Sequence, residues 1–113
     1  MLEKYLQEIG LNEKEAAIYL ALLQVDSASV VSLADKTKIK RPTVYVVLET
    51  LAKKGLVSEV EIVNKTHFAA EPPEHIETFI QQQKLKIEET AERLKDILPQ
   101  LKAVQRELGE RPI

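Results

Sequence analysis

The residues most suggestive of chemistry form one short run. Lys36, Lys38, Lys40 and Arg41 place four cations in six positions, and Pro42 and Thr43 follow directly. Cations at this density neutralise phosphates, and an arginine can bond a guanine edge through two hydrogens. A base-reading surface is the chemistry these residue types suit. Other chemistries have less behind them. There is no cysteine, which excludes thiolate metal sites, disulfides and cysteine nucleophiles. His67 and His75 are lone histidines, too few for a three-histidine metal site. The acidic residues pair with no nucleophile, so no catalytic constellation emerges, and neither an enzyme nor a cofactor is expected.

Net charge at first points away from nucleic acid. The 113 residues hold 16 Lys and Arg against 18 Asp and Glu, a balance of −2. Charge is unevenly spread, however. Residues 36–54 carry six cations against Glu49 alone, a local excess of +5 inside an otherwise acidic chain. No apolar run approaches the ~20 residues of a membrane span, and the start MLEKYLQEIG is too polar for a signal peptide. A soluble, cytoplasmic protein without a membrane partner is the expectation.

The elements that must position the basic run can be read from periodicity. Leu2, Tyr5, Leu6 and Ile9 suggest a short first helix, ended by Gly10. Asn12 and Glu15 have capping-box spacing, and Ala16, Tyr19, Leu20, Leu22 and Leu23 then recur as a helix that ends at Asp26 and Ser27. Ser29 suits the N-cap of a third helix, about Val30 to Thr37, with Val30, Leu33 and Ala34 inward. Lys38 to Lys40 leaves room only for a tight turn. Pro42 favours the first turn of the next helix, about 42–54, whose buried stripe is Val44, Leu48 and Leu51 with Tyr45 and Ala52 at its margin. Lys53 and Lys54 complement its C-terminus and Gly55 stops it. Leu56 to Val63 alternates with period two, Asn64-Lys65 signals a turn, and Thr66 to Ala70 reads as a second strand.

After Pro72-Pro73 the chain becomes one long helical pattern. Ile76, Ile80, Gln83, Ile87, Thr90, Leu94, Ile97, Leu101, Val104 and Leu108 alternate in steps of four and three, a heptad seam. A straight helix of this length spans roughly 50 Å, more than a small domain can cover, so pairing with a second copy is expected. Ile80, Ile87, Leu94, Ile97, Leu101 and Val104 are the candidate dimer contacts, and Leu2, Leu6 and Ile9 could add to the interface. Gln83 and Thr90 would set register. Pro99 predicts a kink, or a break into two helices.

A mainly α fold follows. A winged helix-turn-helix with a small β-hairpin occupies residues 1–71, and a long coiled-coil helix occupies 72–113. In that frame the helix at 42–54 would enter the major groove of double-stranded DNA, and the wing at 56–70 would touch the adjacent backbone. The face opposite the buried stripe is Pro42, Thr43, Val46, Glu49, Thr50 and Lys53. Candidate DNA contacts are Lys38, Lys40, Arg41, Pro42, Thr43, Val46 and Lys65, with Val46 suited to a thymine methyl. Lys53 and Lys54 read better as helix-end charges, and Tyr45 as a core residue with a bonded hydroxyl. The competing reading is a winged-helix module that docks a protein of a transcription complex.

Three stretches carry a family resemblance. Leu6-Gln-Glu-Ile-Gly-Leu-Asn-Glu-Lys-Glu-Ala-Ala-Ile-Tyr-Leu-Ala-Leu-Leu23, Arg41-Pro-Thr-Val-Tyr-Val-Val-Leu-Glu-Thr-Leu-Ala-Lys-Lys-Gly-Leu-Val57 and Phe68-Ala-Ala-Glu-Pro-Pro73 resemble the TrmB family of transcription regulators. Ser29 to Ala34 and Leu98 to Leu101 fit the same pattern. The resemblance implies DNA binding as a homodimer and transcriptional control, often of sugar metabolism and mostly in archaea. Pro42 stands where the family commonly has Ser or Thr, leaving Thr43 as the hydroxyl on that turn. Typical members continue into a sugar-binding effector domain. This sequence stops at Ile113, near where that domain would begin, so no effector is carried over.

Overall fold

A computed structural model describes residues 1–109, with side chains through Glu107. The side chain of the seam position Leu108 and the terminal stretch 110–113 lie outside what is described. Five helices and one hairpin follow in order: α1 (Leu2–Glu8), α2 (Glu13–Leu23), α3 (Val30–Thr37), α4 (Arg41–Lys53), β1 (Val57–Ile62), β2 (Lys65–Ala70) and α5 (His75–Gly109). Among the described residues no helix is long and apolar enough to cross a membrane.

Helix starts follow local chemistry. Asn12 Oδ1 accepts the Glu15 N–H at 2.8 Å, and Glu15 Oε1 accepts the Asn12 N–H at 2.9 Å, which completes the capping box of α2. Ser29 Oγ accepts the Ser32 N–H and caps α3. Helix α2 ends at Leu23, the last of its apolar positions and short of the expected stop at Asp26 and Ser27, because Gln24 caps it and Val25 already bonds back to Leu22. Leu23 is therefore exposed, while Ile18, outside the simple reading of the stripe, is fully buried.

The compact unit runs from Met1 to Ile80. Its core joins Leu6, Leu11, Ile18, Tyr19 and Leu22 to Leu33, Val44, Leu48, Leu51, Leu56 and Phe68. Each such apolar side chain contributes ~1.5–3 kcal/mol when fully buried. Leu6 belongs to this core and is not free to join an interface, whereas Leu2 and Tyr5 are exposed. Phe79, from the second turn of α5, is buried in the same cluster. The unit thus extends past the proline pair into the long helix.

Strands β1 and β2 pair antiparallel with Val57 opposite Ala70 and Ile62 opposite Lys65. A third segment adds to them. Ala28 and Phe68 exchange both backbone hydrogen bonds at 2.8 Å, tying the α2–α3 loop to the hairpin. Beside this bridge Ser27 Oγ lies 3.4 Å from His67 Nδ1. Helix α5 continues through Pro99 without the break that residue suggested. Pro99 removes one backbone donor, and the neighbouring turns keep theirs.

One buried carboxylate organises the unit. Glu15 is 2 % exposed. Lys54 Nζ donates to both its oxygens at 2.7 and 2.8 Å, and Thr50 Oγ1 donates to Oε2 at 2.7 Å. The same ammonium sits 5.9 Å from the centre of the Phe79 ring, within cation–π range. Burial pushes the Glu15 pKa up. The Lys54 hydrogen bonds, the Asn12 N–H, the Thr50 hydroxyl and the Lys54 charge together outweigh that and hold it below the ordinary 4.5. Tyr19 contrasts with it. Burial and the Glu74 charge push its pKa up, and its hydroxyl finds no hydrogen-bond partner among the described residues.

A lowered carboxylate pKa stabilises the fold above the unfolded value and loses that contribution as pH falls through the folded one. Glu15→Gln should cost about 2–3 kcal/mol at neutral pH, read from the urea midpoint, since it removes the charge that Lys54 and the helix cap share. The cost of Lys54→Met should be largest at neutral pH. It should shrink below about pH 4.5, where wild type loses the same ion pair to protonation. A pH-independent cost would rule out the ion pair as its source.

Candidate nucleic-acid interface

Helices α3 and α4 meet through Lys38–Lys40. Lys38 takes a left-handed conformation (φ 63°) as the C-cap of α3, and its N–H returns to the Ala34 carbonyl. That single left-handed residue lets a three-residue turn redirect the chain. Ile39 tucks against the core, so Lys38 and Lys40 on either side stay exposed. The sequence pattern of apolar Ile39 between lysines is what produces this splay.

Lys40 is the N-cap of α4, and no side chain caps that end. The contrast with the capped α2 and α3 is chemical. The first-turn N–H groups of α4 have no side-chain acceptor, and the positive end of its dipole is flanked by Lys40 and Arg41. Pro42 contributes no donor there. Lys38, Lys40, Arg41, Pro42 and Val46 are all exposed, and Thr43 is half-buried. These six lie together on the turn and the outer face of α4.

Two residues assigned to neighbouring roles sit elsewhere. Thr50 does not face outward with Val46, because its hydroxyl turns inward to Glu15 and the Val47 carbonyl. Lys54 is not a free helix-end charge, being the partner of Glu15. Lys53 remains exposed. One of the six cations in the basic block is thus neutralised inside the fold.

Tyr45 was expected in the core and is instead 59 % exposed. The buried stripe of α4 passes through Val44, Val47, Leu48 and Leu51, which leaves Tyr45 and Val46 on the outer side. Tyr45 and Val31 line a shallow groove with Ser29, Glu59 and Thr66. Lys40 and Arg41 line a second groove with Val31, Asp35 and Ile39. Val31 carried no signal in sequence, since it precedes the basic run and sits in a short helix with an ordinary apolar pattern. Asp35, Glu49 and Glu59 also border this surface, so its charge is positive at the turn and mixed toward the wing.

The hairpin turn is Val63-Asn64, both with positive φ (48° and 61°). Two such residues give the backbone twist of a two-residue hairpin. Asn64 suits this geometry, whereas β-branched Val63 is strained in it. Lys65 opens β2 beside the turn and is exposed.

Beyond Ile80 the character of the chain changes. Every side chain from Gln81 to Glu107 is exposed, including the seam residues Ile87, Leu94, Ile97, Leu101 and Val104. Ile80 differs from them. It is half-buried and belongs to the winged unit.

No curated protein sequence matches this chain. Several solved structures do. TrmBL2, an archaeal chromatin protein with a novel mode of DNA binding, is 28% identical with a TM-score of 0.69. The match covers 97% of this chain and 43% of TrmBL2, so the chain spans less than half that protein's length. ST1889 from the thermoacidophilic archaeon Sulfolobus tokodaii is 19% identical with a TM-score of 0.63, over 80% of this chain and 99% of ST1889. The homodimeric winged helix-turn-helix DNA-binding domain of Mb0332 from Mycobacterium bovis is 19% identical with a TM-score of 0.54, over 74% and 77% of the two chains. The latter two show a shared fold alone. The family profile of the sugar-specific transcriptional regulator TrmB matches residues 6–74. That span starts at core residue Leu6, takes in the Glu15 network, the basic turn and the hairpin, and ends where α5 begins. The chain therefore belongs to the TrmB family of winged-helix transcriptional regulators.

Proposed function

We propose that this protein is a sequence-specific DNA-binding transcriptional regulator that works as a homodimer. The observation that carries the reading is the uncapped, cation-flanked start of α4. Backbone donors, helix dipole and the cations Lys38, Lys40 and Arg41 converge there, as an anionic backbone would require. In this reading α4 lies in the major groove. Arg41 bonds a base edge, Val46 meets a thymine methyl, and Thr43 and Pro42 pack at the entry. Lys65 bonds a phosphate beside the groove. The winged unit binds DNA, and the rest of α5 pairs with a second copy through Ile87, Leu94, Ile97, Leu101 and Val104. The function is binding rather than catalysis, and its place is the cytoplasm, where the DNA of an archaeal or bacterial cell lies.

Fluorescence anisotropy against genomic DNA fragments tests the first part. Arg41→Ala should weaken binding about tenfold and reduce the slope of log affinity against log salt by roughly one. Val46→Ala should weaken binding only to preferred sequences and leave the salt slope unchanged. Binding that is unmeasurable at low salt, or indifferent to Arg41, would reject the DNA reading in favour of a protein-docking module.

Light scattering tests the second part. Leu94→Asp places a charge in the middle of the seam and should give a monomer. Its circular dichroism should retain the winged unit, whose core excludes Leu94. A variant that remains dimeric would place the interface elsewhere.

A further inference from the structure

Resting on the homodimer reading, we propose that two copies of α5 pair antiparallel, with the two-fold axis between Lys95 and Asp96. This is a statement about which way the helices run, which the apolar seam alone does not settle. The exposed seam from Ile87 to Val104 has its midpoint at that point. Antiparallel pairing there brings Ile87 to the partner's Val104, Thr90 to the partner's Leu101, and Leu94 to the partner's Ile97. Every layer then joins the two kinds of seam position, one from each copy.

Parallel pairing would instead stack like on like. Leu94 and Leu101 would occupy the first seam position of each heptad and Ile97 and Val104 the second. That distribution favours assemblies of more than two strands. A dimer of these side chains is better served by mixed layers.

Shape points the same way. Ile87, Ala91, Leu94 and Ile97 line a shallow apolar depression on the helix. Ala91 is its smallest wall, and Leu98, at the corresponding flank position one heptad on, is 41% exposed. Antiparallel pairing sets the partner's Leu98 over Ala91, a large side chain into a hollow. In the parallel arrangement Leu98 would face the partner's Arg93.

Charge agrees. The charged residues flanking the first half of the seam are Lys84, Lys86 and Arg93, and the one charged flank residue in the second half is Glu107. Flanking charges set helix orientation. Antiparallel pairing brings Lys86 to the partner's Glu107, twice by symmetry. Parallel pairing gathers three cations from each copy around the same layers. The winged units join the paired segments at Gln81, so their attachment points lie about 44 Å apart. That exceeds one turn of DNA, about 34 Å.

The absence of native cysteine makes the orientation directly readable. Ile87→Cys and Val104→Cys chains, one carrying a mass tag, are mixed, equilibrated and mildly oxidised. Antiparallel pairing predicts a mixed disulfide at least tenfold more abundant than either self-linked product. Two copies of position 104 would lie about 26 Å apart along the axis, far outside disulfide reach. A Val104→Cys chain that links to itself with no mixed product would overturn the orientation while leaving the dimer intact. A dimer by light scattering that forms no disulfide in any combination would also overturn it. A wild-type chain that is monomeric would sink the homodimer reading, and this inference with it.

Discussion

The Glu15 carboxylate is the constraint on which the winged unit depends. It caps its own helix through the Asn12 N–H, accepts the Thr50 hydroxyl from α4, and holds the Lys54 ammonium. Lys54 in turn lies over Phe79 at the start of α5. One carboxylate therefore relates α2, α4 and the entry of the long helix. A buried charge is tolerated only where such partners surround it. The network fixes where the C-terminal end of α4 sits. Because the helix is rigid, it also fixes the angle at which the far end presents Lys40 and Arg41.

This has a consequence for charge. The net −2 of the chain hides a basic block, and the block itself hides an internal ion pair. With Lys54 engaged, the surplus that reaches solvent lies at the turn and the first turn of α4. The acidic residues Asp35, Glu49 and Glu59 border that patch. An interface of this kind gains little from long-range attraction. In the proposed DNA complex, affinity would come from direct contacts at the helix start and from Val46.

Much of this was legible in the sequence because it was local. The Asn12–Glu15 spacing, the Ser29 cap, the Lys38–Lys40 turn and the change of period at Leu56 each report on neighbours within four residues. What escaped was long-range. Glu15 and Lys54 are 39 residues apart, and nothing in either neighbourhood says that they meet. The Ala28–Phe68 bridge has the same character, since one extended residue leaves no period. Tyr45 was misplaced for a different reason. A helix of 13 residues buries one stripe, and Val47 rather than Tyr45 took the buried position at its margin. Among the candidate site residues, the basic turn was legible from composition. Val31 and the inward turn of Thr50 required the packing of three helices.

The two parts of the chain differ in what stabilises them. The winged unit owns the buried core, whereas every side chain of the helix from Gln81 to Glu107 is exposed. Local pairs such as Lys95 with Glu92 are exposed and contribute little. A helix without a buried face is only marginally stable in water. Burying its apolar stripe against a second copy would supply the missing free energy, so helix formation and pairing become one event. In the proposed dimer the same event tethers two DNA-reading units, and tethering raises the effective concentration of the second unit at its half-site. For a surface whose charge is confined to one turn, that gain supplies affinity that a single unit lacks.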